Sequence, residues 1–85
     1  MTDVSIVAAS TSQQTMITSN TSRKGLTIFN QSSSTLYVSS VNGFTKSNAP
    51  IVIGPQSSWV LPVAYSGAFY GVWDTATGQA LVTQV

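Results

Sequence analysis

The strongest constraint on the fold of this chain is a repeated alternation of apolar and polar side chains over short segments. "GLTIFN" (25–30) places Leu26 and Ile28 on one side of an extended strand, and "TLYVSSV" (35–41) alternates in the same way with Tyr37 opposite its apolar neighbours. Successive side chains of a strand point to opposite faces, whereas no stretch of this chain has a helical period. We therefore predict an all-β fold, a small antiparallel β-sandwich or barrel of about six to eight short strands.

The N-terminal region carries the same alternation. "DVSIVAAS" (3–10) spaces Val4 and Ile6 two residues apart, and "QTMITS" (14–19) follows after a polar turn. An extended arm that adds a strand to a neighbouring subunit would have the same pattern, so both interpretations stay open. We predict one domain because no repeat or composition shift divides the chain, with an N-terminal arm or first strands at 1–22 and a sandwich core at 23–85.

Polar segments between the strands predict turns. "NQSSST" joins 25–30 to 35–41 through Asn and Ser side chains that can bond their own backbone, which predicts an antiparallel hairpin. "VNGFTKSNAP" contains Asn-Gly, a pair typical of hairpins, with a wandering loop ending at Pro50 as the alternative. After "PIVIG" (50–54), Pro55 supplies the φ angle that a type I or II turn needs.

Two further strands are predicted towards the C-terminus. "SSWVLPV" (57–63) contains Trp59, and Pro62 lacks a ladder donor, so this strand either ends there or lies at a sheet edge. Residues 67–74 are apolar on both faces, which is typical of a central strand or of one that meets a partner. One face carries Phe69, Gly71 and Trp73, and the other carries Ala68, Tyr70 and Val72.

Two glycines and one carboxylate in this C-terminal region have predicted roles. Gly71 leaves room in mid-strand for a ring or a backbone to approach closely. "DTATG" is predicted to be a loop in which Gly78 supplies a positive φ, leading into "QALVTQV" (79–85) to complete a hairpin. Asp74, beside this loop, is interpreted as a turn-forming residue.

The chain lacks the groups that most catalytic and metal sites need. It has no His and no Cys, and its only acids are Asp3 and Asp74. A Ser-His-Asp triad is excluded, and too few ligands are present for a metal site. We therefore predict that the protein is not an enzyme and that it uses no cofactor or metal.

Charge is scarce, and this restricts the partners. Charged residues make up 6% of the chain, against about 25% in ordinary soluble domains. Arg23, Lys24 and Lys46 are too few to anchor a nucleic acid by counterion release, and no run of about 20 apolar residues could span a membrane. We predict neither nucleic-acid nor membrane binding. A net charge of +1 suits a subunit that associates with copies or partners.

Glycan binding is the alternative use of the aromatic residues. Uncharged β-sandwiches can hold a sugar between a ring and amide side chains, and Trp59, Tyr65, Tyr70 or Trp73 could serve. A core or subunit-contact role is favoured for each ring, because a domain this small depends on the area that each buried ring removes from water.

The ordered set of motifs resembles a family of small bacteriophage virion proteins and domains. Its pattern has an Asn shortly before an Arg, an apolar strand ending in Asn, a Leu-Tyr-Val strand, and "Y-x-G-x-x-x-G-hydrophobic-W" before "G-x-A-x-V-T". The match covers about residues 12–85, with Gln84 where the family tends to have an acid and a divergent middle loop, "SSVNGFTKSN". The matching positions are Asn20, Arg23, Leu26, Ile28, Asn30, Leu36, Tyr37, Val38, Tyr65, Gly67, Gly71, Trp73, Gly78, Ala80, Val82 and Thr83.

The resemblance implies a structural part of a phage particle. We expect a capsid decoration or cement protein on the virion surface that stabilises the shell by packing across capsid subunits. Its expected partners are the major capsid protein or other virion proteins, and copies of itself in a homo-oligomer or symmetric array. The alternative is a neck, tail or head-fibre adaptor, or a glycan-binding module of the virion. The expected partner contacts are Val4, Ile6, Arg23, Lys24, Tyr70 and Trp59.

Overall fold

Eight strands and one short 3₁₀ helix form the regular structure of the residues that the computed structural model describes, which are 3–19, 21, 25–61 and 67–84. The all-β prediction is confirmed. Among the described residues, no helix is long and apolar enough to cross a membrane. The strands are β1 (Asp3–Ala8), β2 (Gln14–Ile17), β3 (Leu26–Gln31), β4 (Leu36–Ser39), β5 (Ile51–Ile53), β6 (Ser58–Val60), β7 (Phe69–Trp73) and β8 (Gln79–Gln84), and the 3₁₀ helix is Lys46–Asn48.

The strands form two antiparallel four-stranded sheets. Sheet A has the order β1-β8-β3-β6, and sheet B has the order β2-β7-β4-β5. The pairing is nested: β1 pairs with β8, β2 with β7, β3 with β6 and β4 with β5. Two sheets with this strand order have the topology of a jelly roll, a double-sheet arrangement built from Greek keys. The predicted small β-sandwich is therefore confirmed in this particular form.

Two predicted hairpins are wrong. β3 lies in sheet A and β4 in sheet B, so the loop between them crosses from one sheet to the other. The same holds for β7 and β8, because β8 pairs with β1 and β3. A short polar loop is compatible with either path. The crossings place β3 beside β8 in sheet A and β4 beside β7 in sheet B, and side chains of the 32–35 loop bond its backbone.

β4 and β5 pair with each other, but the connection between them is the long loop 40–50 that ends at Pro50, which was the alternative to a tight Asn-Gly hairpin. Gly43 lies inside this loop with a φ of +84°. The edge position expected for the Pro62 segment is also found, since β6 lies at the edge of sheet A and ends at Val60, although Pro62 itself is outside the described residues. The turn after β5 has Ser57 N–H donating to Gly54 O at 3.2 Å, with a positive φ of 58° at Gln56, as a type II turn requires.

The core lies between the inner faces of the two sheets. β7 is an interior strand, as its two apolar faces predicted, and it turns Phe69, Gly71 and Trp73 inwards. An added Cβ at Gly71 would lie 2.6 Å from Met16 Sδ, so the close approach predicted there is made by a thioether. The buried apolar side chains of the core cluster are Met16, Ile17, Leu26, Ile28, Leu36, Val38, Ile53, Phe69, Trp73, Ala80 and Val82.

Candidate functional site

Asn30 and Trp73 form a polar connection inside the core. Both side chains are 0% exposed, and Trp73 Nε1 donates to Asn30 Oδ1 at 3.1 Å. Asn30 Nδ2 donates to the carbonyl oxygens of Ser34, Ile53 and Gly54 at 2.8 to 3.1 Å. These bonds join β3 of sheet A to β5 and β7 of sheet B. Because this polar group is fully paired and closed to solvent, it stabilises the fold and offers no ligand site.

The loop after Asn30 is built as its composition predicted. Ser32 Oγ donates to Asn30 Oδ1 at 2.7 Å and to Ser34 O at 3.0 Å, and it accepts from Ser34 N. Gly78, whose predicted positive φ is confirmed at +92°, packs against this loop, since a Cβ there would lie 2.6 Å from Ser32 Cβ. The two crossings between sheets are therefore in contact with each other.

The remaining predicted residues are dispersed. Trp59 is half-buried and packs on the core, its ring centroid 5.8 Å from that of Phe69 in an edge-to-face arrangement. Gly67 is half-buried just before β7, and Tyr70 is half-buried on the outer side of sheet B. Four of the predicted positions, Asn20, Arg23, Lys24 and Tyr65, lie outside the described residues.

The outer side of sheet A carries three rows of uncharged side chains, which we call face A. The first row runs Val4, Thr83, Thr27, Val60, and the second runs Ile6, Leu81, Phe29, Ser58. The third row runs Ala8, Gln79, Gln31, in which Gln79 Nε2 donates to Gln31 Oε1 at 2.8 Å. Antiparallel sheets commonly present polar side chains to solvent, so the apolar character of the first two rows is unusual.

Face A is exposed at its two edge strands. Val4, Ile6 and Val60 are 63%, 66% and 64% exposed, whereas Phe29 and Leu81, in the interior strands, are half-buried. With strands about 4.8 Å apart, the first two rows, which also contain Thr27, Thr83 and Ser58, cover roughly 300 Å². This is the lower end of the size of the largest apolar patch on a typical monomer, a patch that is often functional. Phe29, at an outward position of an alternating strand, was the sequence feature that could have revealed this patch.

Comparison with known proteins gives no match to a family model, to a curated protein or to a solved structure.

A charged cluster lies on the outer side of sheet B. Lys46 Nζ lies 3.2 Å from Asp74 Oδ1, and the Tyr37 hydroxyl donates to Asp74 Oδ2 at 3.1 Å. Lys46 also lies above the Tyr37 ring, 6.0 Å from its centroid. Asp74 lies in the bend after β7, and its carboxylate bonds the neighbouring strand β4 and the β4–β5 loop.

The charged cluster changes the pKa of Tyr37. Partial burial raises the pKa of the Tyr37 phenol, and the hydrogen bond to Asp74 and the negative charge of Asp74 raise it further, while Lys46 opposes them. The phenol therefore stays protonated at neutral pH and acts as a hydrogen-bond donor. Sequence patterns could not bring these three residues together, since they come from β4, the 40–50 loop and the residue after β7.

A cleft of about 330 Å³ lies between the end of β4 and the 40–50 loop, the loop that also carries Lys46. Its lining residues are Ser39, Ser40, Val41, Gly43, Phe44, Asn48 and Pro50. None of them is charged, and none was singled out from the sequence as a ligand contact. Among the described residues no three His, Cys, Asp or Glu side chains come together as a metal site would require.

Proposed function

We propose that this chain is a structural protein of a bacteriophage particle, a decoration protein that packs face A against capsid subunits. The observation that carries the proposal is the uncharged, partly apolar surface of face A, on a domain in which every buried polar side-chain atom of the described residues has a hydrogen-bond partner. Exposed apolar side chains are unfavourable in water, and contact with a partner removes them from water.

The architecture and the composition support the same function. Jelly rolls occur in viral capsid domains as well as in lectins and cupins, so the topology is compatible with a shell protein without by itself determining function. The resemblance of residues 12–85 to small phage virion proteins points in the same direction. A charge content of 6% lets many copies lie close together without mutual repulsion.

The proposed mechanism is repeated weak association. Val4 and Ile6 on β1 and Val60 on β6 pack against the apolar surface at a seam between capsid subunits. Each fully buried aliphatic side chain of this size contributes about 1.5–3 kcal/mol. A capsid repeats the same seam many times, so a modest free energy per contact stabilises the whole shell when many copies are bound.

Copy number tests the location. Quantitative mass spectrometry of purified particles, before and after removal of the tails, is expected to find on the order of hundreds of copies that remain with the shell, as a symmetric lattice requires. Particle microscopy is expected to place the protein on that lattice. About a dozen copies or fewer, lost together with the tails, would assign the protein to the neck, tail or a fibre.

Matched variants test the surface. Val4→Asp places a charge on face A, while Val52→Asp places the same charge at a similarly exposed valine on sheet B, 60% against 63%. Binding of each purified protein to capsids that lack it is expected to weaken about tenfold or more for Val4→Asp, because the carboxylate would be buried without a partner. Val52→Asp is expected to bind normally. Equal binding by both variants would overturn the assignment of face A.

A further inference from the structure

The loop at 40–50 is the longest connection between consecutive strands of the described chain, and it lines the open, uncharged cleft beside β4. The other connections are shorter turns and crossings. Residues that bind ligands are found disproportionately on loops held by a rigid scaffold. In this protein the loop joins the interior strand β4 to the edge strand β5 of sheet B, so its ends are fixed by the ladder between them.

Contacts from outside the loop hold it in one shape. Gln13, which precedes β2, accepts from Gly43 N at 2.7 Å and donates to Asn42 Oδ1 at 2.6 Å. On the other side, the ion pair between Lys46 and Asp74 ties the loop to the end of β7. A binding loop that is already ordered loses less conformational entropy when a ligand binds, so these contacts favour binding.

Contacts within the loop orient one amide. Asn48 Oδ1 accepts from Thr45 N at 2.9 Å, which fixes the rotation of the side-chain amide. The Nδ2 group of Asn48 has no hydrogen-bond partner among the described residues, and the residue is exposed. Two N–H donors are therefore available at the wall of the cleft.

The chemistry of the lining selects the class of ligand. No lining residue is charged, and Lys46 of the same loop is paired with Asp74, so the lining offers no charge to balance a phosphate, a carboxylate or a metal ion. It combines apolar surface at Val41 and half-buried Phe44 with the hydroxyl of Ser40 and the amide of Asn48. A pyranose ring has the matching character, with an apolar face of C–H groups and an edge of hydroxyls.

We propose that the cleft beside β4 binds a neutral saccharide of one or two sugar rings. The Phe44 ring packs against the C–H face of the sugar, and Asn48 and Ser40 bond its hydroxyls. A volume of about 330 Å³ is at the lower end of the range of about 300–1,000 Å³ for small-molecule sites. The site uses the 40–50 loop instead of Trp59, Tyr70 or Trp73. Tyr65, the fourth ring that the sequence suggested, lies outside the described residues.

The position of the cleft is compatible with attachment through face A. The cleft adjoins strands of sheet B, whereas face A is the outer side of sheet A, so a copy attached to a shell by face A keeps the cleft accessible. One such shallow site is expected to bind with a Kd of about 1 mM or weaker. An array of copies raises the affinity for a surface polysaccharide without any new contact, and this amplification alone rests on the proposed function.

NMR titration of the full chain tests the site. The ¹⁵N-labelled protein is titrated with methyl α-glucoside, methyl β-galactoside and N-acetylglucosamine, with glucose 6-phosphate as the charged comparison. At least one neutral sugar is expected to shift the amide signals of residues 40–50, with weaker effects from the phosphate. No shift with any of the three neutral sugars at about 50 mM would overturn the proposal.

Variants separate specific binding from general effects. Phe44→Ala is expected to lower the affinity about tenfold. Val41→Thr keeps the shape of the side chain and removes apolar surface inside the cleft, and Val60→Thr makes the same change at an equally exposed valine on face A, 63% against 64%. Weaker binding is expected for Val41→Thr only. Unchanged binding by both Phe44→Ala and Val41→Thr would overturn the assignment, while leaving the capsid proposal untouched.

Discussion

Trp73 Nε1 donates a hydrogen bond of 3.1 Å to Asn30 Oδ1, joining the two sheets through a pair of side chains that solvent does not reach. The bond lies inside an otherwise apolar core, where an unpaired polar group is costly. It therefore links the stability of the fold to a single amide, which also holds the carbonyl groups at the end of β5.

Asn30→Ala is expected to lower the free energy of unfolding by about 3 kcal/mol or more, because it leaves Trp73 Nε1 and several buried carbonyl oxygens without their partner. Urea denaturation followed by tryptophan fluorescence measures the change. Gln31→Ala, at the exposed neighbour, serves as the control and is expected to change stability by less than about 0.5 kcal/mol. Similar unfolding midpoints for the two variants would show that the buried amide is dispensable.

Gly78→Ala and Gly43→Ala are expected to differ although both glycines have positive φ, +92° and +84°. At Gly43 nothing lies within 4 Å of an added Cβ, so only the backbone preference is lost, about 1 kcal/mol. At Gly78 the Cβ would lie 2.8 Å from Gln31 O and 2.6 Å from Ser32 Cβ, which adds overpacking of about 1–3 kcal/mol. Thermal unfolding of the two variants checks the order, and equal losses would contradict the contact between the crossings.

The pKa of Tyr37 is expected to respond to its two charged neighbours in opposite directions. Asp74→Asn removes the negative charge beside the phenol and should lower the pKa towards its usual value, whereas Lys46→Ala removes the opposing positive charge and should raise it. Ultraviolet titration at alkaline pH, with Tyr37→Phe subtracted to isolate this phenol, measures both shifts. A shift of the same sign in both variants would exclude the described arrangement.

The raised pKa of Tyr37 also makes the stability of the fold depend on pH. The pKa of the Tyr37 phenol is higher in the folded protein than its usual value in the unfolded chain. The stabilisation that this shift provides is fully present at pH values below the pKa of the unfolded chain, and it is lost as the pH rises through the pKa of the folded protein. The decline in stability at alkaline pH is therefore expected to be shallower in Tyr37→Phe than in the native protein. Equal slopes in this range would contradict the perturbation.

Ile6→Thr and Val60→Thr are expected to leave the unfolding free energy within about 0.5 kcal/mol of the native value, because both side chains are mostly exposed on face A. Together they should reduce the binding of a hydrophobic dye and any self-association in sedimentation experiments. Val38→Thr, which buries a hydroxyl in the core, is the contrasting change and should cost about 1–3 kcal/mol. Unchanged dye binding in the face A variant would argue against a continuous apolar surface.

Alternation in the sequence predicted where the strands lie but not how they pair. The segments around Leu26, Tyr37 and Phe69 were placed correctly because period-2 patterns depend only on neighbouring residues. The assumption that short loops make hairpins failed at 32–35 and at 74–78. These two loops cross between the sheets and contact each other through Gly78 and Ser32. A contact between residues so distant in sequence leaves no pattern among the residues that neighbour each of them.

The residues of face A were predicted from the sequence only in part, and those of the cleft were not. Val4 and Ile6 were expected to be available to a partner and are exposed, whereas Phe29 and Leu81 were not recognised as their neighbours, because that required the register of β1, β8 and β3. The cleft at Phe44 was missed for the same reason. Its shape depends on Gln13, which is distant in sequence and carried no pattern of its own.

The nested pairing also has a consequence for synthesis. Every ladder in the described structure joins one of β1–β4 to one of β5–β8, so the first half of the chain contains no strand partner for itself. A nascent chain leaving the ribosome therefore carries β1, with Val4 and Ile6, in an unpaired state until β8 has emerged. The interval between those two events is when this protein is most exposed to aggregation, and folding in the cell is expected to depend on the rate of translation across residues 51–84.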